Sequence, residues 1–233
     1  MTARRSADDL RAVAEPAWSK VEALVQAAPT VVRVLNAAES RRDVALEALQ
    51  VTTASFLGAI VGHCGALLVD HAWLRILGAG AHDVPGVHEA NPLTGEPPPL
   101  LVVAWDVLGG QFAINGGELA AEPGEVCYWA PDTLDWMGLG NGYGAFITWA
   151  LSDQLPAFYA SLRWPGWERE VTALRDDQGL SIYPPPFTTQ GHDLGRSTRA
   201  PVAIAELHVY LADAARQLRD IPDGSQFKLD VTE

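Results

Sequence analysis

Two Gly-Gly pairs, Gly109-Gly110 and Gly116-Gly117, enclose the alternating run Gln111, Phe112, Ala113, Ile114 and Asn115. This punctuation limits what the middle of the chain can become. A phosphate-binding P-loop needs a Lys to reach the outer phosphates and a hydroxyl for magnesium. No Lys occurs between Lys20 and Lys228. A dinucleotide fingerprint needs its glycines to open a helix, whereas a period of two predicts a short strand over 111–115. The glycines therefore read as corners, where positive φ lets strands turn.

The same grammar extends to both sides. SFLGAIVG, ALLVDHAWLRILG, LLVVAWD, QFAIN and EVCYWAP are strand-like runs separated by turn signals. VVRVL at 31–35 reads as a further short strand. Helical spacing predicts a helix from Glu15-Pro16, with Trp18, Val21, Leu24 and Val25 on one face, and another at 40–50 with Val44, Ala45, Ala48 and Leu49 inward. Helices return after residue 143, in SDQLPAFYASLRW, in WPGWEREVTALR and from Pro201 onward. Helices, then consecutive strands, then helices predict an α+β fold: a mostly antiparallel central sheet flanked by N-terminal and C-terminal helices. Residues 1–14 read as a flexible N-terminus, 15–220 as a single domain, and 221–233 as a tail. The stretch 78–99 is the longest loop.

Charge narrows the partners. With 29 acids against 16 bases, the 233-residue chain carries a formal net charge of −13. Phosphate backbones and anionic lipids select Lys and Arg, so neither nucleic acid nor membrane is an expected partner. No apolar h-region follows the charged N-terminus, and no apolar run approaches membrane-spanning length, so a cytoplasmic location is expected. Two cysteines, Cys64 and Cys127, make no disulfide framework.

Catalytic motifs are sparse. His63, Cys64, Asp70 and His71 lie close in sequence but lack zinc-ligand spacing, and no G-x-S-x-G elbow occurs. Neither a metal nor another cofactor is expected. Asp106, Glu118, Glu125, Asp132 and Asp135 fall near strand ends, where a carboxylate pair can support acid–base chemistry but Asp also serves ordinary turns. Most tryptophans occupy apolar periodic positions. Trp136, beside Asp132 and Asp135, is the one expected to be partly exposed.

Several blocks resemble a bacterial family known as domain of unknown function 2625: QVTTASFLGAI, DHAWLRILGAG, DVLGGQFAINGG, YWAPDTLDW, FYASLRWPGWEREV and STRAPV, in that order across roughly residues 15–220. Members of that family carry two acids before the first Gly-Gly pair, where this chain has Trp105-Asp106. That departure weakens any mechanism requiring a carboxylate pair there. The outline of Leu74 to Gly78, Gly109 to Gly117 and Tyr128 to Asp132 is also similar to the SUKH (Smi1/Knr4-like) superfamily. The SUKH resemblance implies a protein-binding role of the immunity type, in which an acidic chain neutralises a basic toxin. A non-catalytic, cytoplasmic protein-binding module with a basic protein partner is thus the expectation, with Asp106, Asp132, Asp135 and Trp136 as the contact. The alternative is an enzyme acting on a small polar or sugar-like substrate through Asp106 and Asp132.

Overall fold

The computed structural model describes residues 4–93 and 98–221. Its centre is a seven-stranded sheet: β1 (Val32–Leu35), β2 (Ala66–Val69), β3 (Leu74–Leu77), β4 (Leu100–Asp106), β5 (Gln111–Asn115), β6 (Glu125–Ala130) and β7 (Asp135–Gly142). The strands lie in chain order and every neighbouring pair is antiparallel. A separate hairpin joins β8 (Gln178–Tyr183) to β9 (Thr198–Ala203). With helices before and after, the fold is α+β.

The helices are α1 (Ala7–Arg11), α2 (Trp18–Ala27), α3 (Glu39–Leu49), α4 (Phe56–His63), α5 (Val87–Ala90), α6 (Tyr143–Ala150), α7 (Gln154–Phe158), α8 (Trp167–Thr172) and α9 (Ile204–Leu218). Several differ from the sequence reading. Residues 7–11, read as flexible, form α1, started by a capping box in which Ser6 and Asp9 take each other's backbone N–H. SFLGAIVG, read as a strand, forms α4. The Ser55 hydroxyl accepts the Gly58 N–H at 3.0 Å, and every residue from Leu57 to Gly62 is buried. A helix apolar on all sides carries no period that separates it from a buried strand. On α3, Ala45 and Leu46 face inward while Val44 is 56% exposed. The last helix starts at Ile204 because Thr198–Ala203 pairs with β8. The sequence reading also passed over β7, whose Gly-rich sequence weakens its strand signal.

The glycine corners are as expected. Gln111–Asn115 is β5, and Gly109 and Gly117 have φ of +89° and +118°. The loop 78–99 contains α5; its residues 94–97, like 1–3 and the tail from 222 onward, lie outside the described residues.

Strand register sorts side chains into transverse rows. One row runs Val34, Leu67, Ile76, Ala104, Phe112 and Tyr128. It meets α6 and α7, where Phe112 packs against Phe146 and Phe158. The adjoining row points to the opposite face, since successive residues alternate. It runs Arg33, Leu68, Arg75, Trp105, Gln111, Trp129 and Trp136. There the Trp105 indole meets the His208 ring of α9 edge-on at 5.6 Å. With both faces covered, β2 and β3 are buried at every residue, unlike a half-solvated antiparallel strand.

His208 links this packing to pH. Burial pulls its imidazole down from 6.5 to about 4, so the fold holds the neutral ring. The unfolded chain takes up a proton below its ordinary value while the folded chain does not. The stabilisation is therefore complete above pH 6.5 and is lost as pH falls toward about 4. Melting temperatures across that interval should fall less steeply for His208→Phe than for the parent protein.

Candidate functional site

The most constrained polar group is Asp106, at the end of β4 and completely buried. One carboxylate oxygen, Oδ1, accepts the backbone N–H groups of Leu108 and Gly110, each at 2.9 Å. The other, Oδ2, accepts the hydroxyls of Tyr128 at 2.7 Å and Tyr159 at 3.1 Å. Local sequence explains the turn: an Asp side chain readily takes backbone N–H groups two to four residues on. Gly110 has to be glycine, because a Cβ there would overlap Asp106 Oδ2 and the Tyr128 hydroxyl. Burial pushes the Asp106 carboxyl up from its ordinary range, opposed by its four donors. Burial and the neighbouring Asp106 charge raise both tyrosines well above theirs, so their hydroxyls stay protonated donors.

This corrects the placement of Asp106. Its carboxylate does not reach the surface and cannot be part of an exposed contact or a substrate site, because each oxygen is already occupied by two donors. The sequence placed an acid correctly before the Gly-Gly corner but assigned it to the wrong side of the surface. Asx-turn chemistry was the available signal.

The other three residues divide. Asp132 is half-buried and lines a hollow of about 170 Å³ with Ser161, Pro186, His192 and Leu194. Asp135 is exposed, Trp136 is half-buried, and together they line a second hollow of about 480 Å³ with Glu125, Cys127 and Gly138. Both begin β7, the last strand of the sheet. The Trp136 backbone N–H donates to the carboxylate of the preceding Asp135 at 2.8 Å, and Met137 is 50% exposed. The structure therefore brings Asp135 and Trp136 together, sets Asp132 in a neighbouring hollow, and withdraws Asp106.

Burial raises both cysteine thiols above their ordinary range, the reverse of what activates a nucleophile. Cys64 caps the end of α4 with its Sγ on the Ile60 carbonyl, and burial pushes its thiol up to about 12. Among the described residues no three His, Cys, Asp or Glu side chains converge as a metal-ligand set. His63 instead stacks on Trp18 at 4.7 Å.

A larger hollow, a cleft of about 770 Å³, lies at the opposite edge of the sheet beside β1. No motif in the sequence signalled it. One side of its polar lining comes from three separate segments: Arg33 and Asn36, His71, and His82 with Asp83. Arg175 and Asp176, just beyond α8, close the other wall.

Comparison with known proteins places this architecture. The model of the family described as "Protein of unknown function DUF2625" matches residues 7–207. The chain belongs to that family. It is 36% identical over 199 residues to "Putative uncharacterized protein YbfG" of Escherichia coli (strain K12), covering 83% of this chain and 89% of that protein. An "Uncharacterized protein" of Haemophilus influenzae is 33% identical over 174 residues, covering 72% and 76%. No solved structure matches the chain at a significant level. In this family member, the turn after β4 is built around a single carboxylate, Asp106, rather than a pair.

Removing that carboxylate should be costly. Asp106→Ala leaves two N–H groups and two hydroxyls without their acceptor and should destabilise by about 3–5 kcal/mol. Asp106→Asn keeps the shape and one acceptor and should cost less. Tyr159→Phe, which removes one donor of four, should cost about 1 kcal/mol. Urea unfolding of the three variants at neutral pH tests this order.

Proposed function

We propose that this protein is a non-catalytic, cytoplasmic protein-binding module that captures a basic partner at the β7 end of its sheet. The observation that carries this reading is the character of β7 itself. It is a terminal strand, and from Trp136 to Gly142 it contains no charged residue and no proline. Terminal strands usually carry such residues to discourage pairing with other chains. An edge without them can accept an extended segment by strand addition, with main-chain hydrogen bonds for affinity and side-chain hollows for selectivity.

The surroundings support a basic partner. Asp135 and Glu125 flank the hollow that Trp136 lines, and the whole chain carries −13. Acids of this kind act mainly on association rate and on the choice of partner, whereas a half-buried Trp is the usual energetic anchor. An immunity-type role, with a basic toxin as the partner, is the narrower form of the proposal and rests on the SUKH-like sequence outline. The enzyme alternative required Asp106 and Asp132 to act together on a substrate. The burial of Asp106 weighs against it.

The test is affinity capture from the native host, followed by titration of the captured partner at low and high salt. Affinity should weaken as salt screens the acids. Asp132→Ala combined with Trp136→Ala should weaken binding by about thirtyfold, equivalent to the roughly 2 kcal/mol of an interface anchor. A partner that binds the double variant as well as the parent removes this surface from the account.

A further inference from the structure

We infer that the cleft beside β1 is a second, independent binding site, for a small molecule carrying an oxyanion head, a carboxylate or a phosphate, on an apolar body. Its volume of about 770 Å³ lies within the range of small-molecule sites, roughly 300–1,000 Å³. The apolar part of its lining comes from Val31, Leu35, Leu68, Val171 and Leu174. Against that body stand Arg33, His71, His82 and Arg175, with Asp83 and Asp176 as the only acids of the lining. With histidine left out on both sides, this lining balances two arginines against two acids, in a chain whose totals are 29 acids and 16 bases.

Three further observations favour an acceptor as the missing partner. First, Asp176 already pairs with Arg33, and Arg175 pairs with Asp177, so the two acids closest to these arginines are occupied. Arg33 nevertheless keeps 58% of its side chain exposed. Second, Arg75 adjoins the cleft floor as the strand partner of Leu68, completely buried, with Nε and Nη1 lacking any hydrogen-bond partner. The charge that acts most strongly on its guanidinium is Asp176, in the cleft wall. An acceptor drawing Arg33 away would leave Asp176 to Arg75.

Third, the backbone that presents the histidines is strained. Asp70, His71 and Ala72 have φ of 54°, 60° and 67°, and His82 has φ of 48°. For residues with a Cβ this left-handed region costs roughly 1–2 kcal/mol each. The first of these stretches is held by the ion pair between Asp70 and Arg163, whose side chains are 6% and 10% exposed. Strain held in place by surrounding structure is a recurrent mark of ligand sites. Here it turns His71 and His82 toward one hollow, each from a different loop.

The test uses hexanoate and hexyl phosphate as probes, with hexan-1-ol as the uncharged control. Binding is followed by calorimetry and by the ring resonances of His71 and His82. Saturable binding of either anion that perturbs both rings, at least about tenfold tighter than hexanol, supports the site, and the tighter anion identifies the head group. Arg33→Gln and His71→Asn should each weaken that binding. Arg33 is exposed, and Asn tolerates left-handed backbone, so both variants should fold. Absence of saturable binding by both anions, equal binding of hexanol, or undiminished binding by both variants overturns the inference.

Discussion

The carboxylate of Asp106 is the interaction on which the remaining architecture depends. It joins four pieces of chain, two of them distant in sequence: its own strand β4, the corner into β5, Tyr128 on β6 and Tyr159 beyond α7. Placing a carboxylate completely out of water carries a large desolvation penalty unless each oxygen is satisfied. Here each oxygen receives two donors. The arrangement is tolerable only when all four segments are in place, so it rewards one register of β4 against β5 and penalises slippage. A polar network of this kind contributes specificity more clearly than net stability.

From that point the packing propagates through aromatic rings. Tyr159 contacts Trp73 at 5.4 Å, and Trp73 meets Trp164 and Trp167. The Arg163 guanidinium lies 4.0 Å from the Trp167 ring centroid and 4.9 Å from that of Trp73, while pairing with Asp70. A cation on aromatic faces and beside a carboxylate can stay charged with little water. The left-handed turn at Asp70–Ala72 is therefore anchored from behind, through the same aromatic cluster that Tyr159 ties to Asp106. The turn between β2 and β3 is thus fixed by buried ionic and aromatic contacts, whereas the sheet ends at β7 in a glycine-rich strand.

Much of the fold was legible in the sequence because its signals were local. Period-two alternation identified β5, and the flanking glycines identified its corners. Alternation predicts burial of Phe112, Ile114, Val126 and Tyr128; Ile114 is only half-buried, and Ala113 and Cys127 on the other face are buried as well, because both faces of the sheet are covered. What was not legible lacked a period. The segment forming α4 is apolar on every side, so nothing in it separates helix from strand. The segment forming β7, with Gly138, Gly140 and Gly142, has too few side chains to alternate. The candidate site followed the same division. Asp135 and Trp136 are adjacent in sequence and share a hollow, whereas the withdrawal of Asp106 depends on Tyr159, 53 residues away. Long-range partners of that kind leave no mark in a local pattern. The cleft beside β1 was missed for the same reason, since its lining comes from segments around residues 33, 71, 82 and 175.

The transverse row from Arg33 to Trp136 is accessible chiefly at its two ends. Of its inner members, Leu68, Arg75, Trp105 and Trp129 are buried and Gln111 is half-buried, and α9 covers the row at Trp105 through His208. A ligand could reach them only by displacing packed elements. Its end members behave otherwise: Arg33 projects into the cleft and Trp136 into the hollow beside β7. Each combines an amphipathic or charged side chain with incomplete burial, on a strand with one neighbour instead of two. An antiparallel sheet covered on both faces leaves its terminal strands as the places where backbone groups and polar side chains still lack protein partners. In this chain those two places differ in chemistry. The β1 side gathers arginines and histidines, and the β7 side gathers acids and glycine. If the two proposals above hold, edges so unlike in chemistry would take two distinct ligands and not share one.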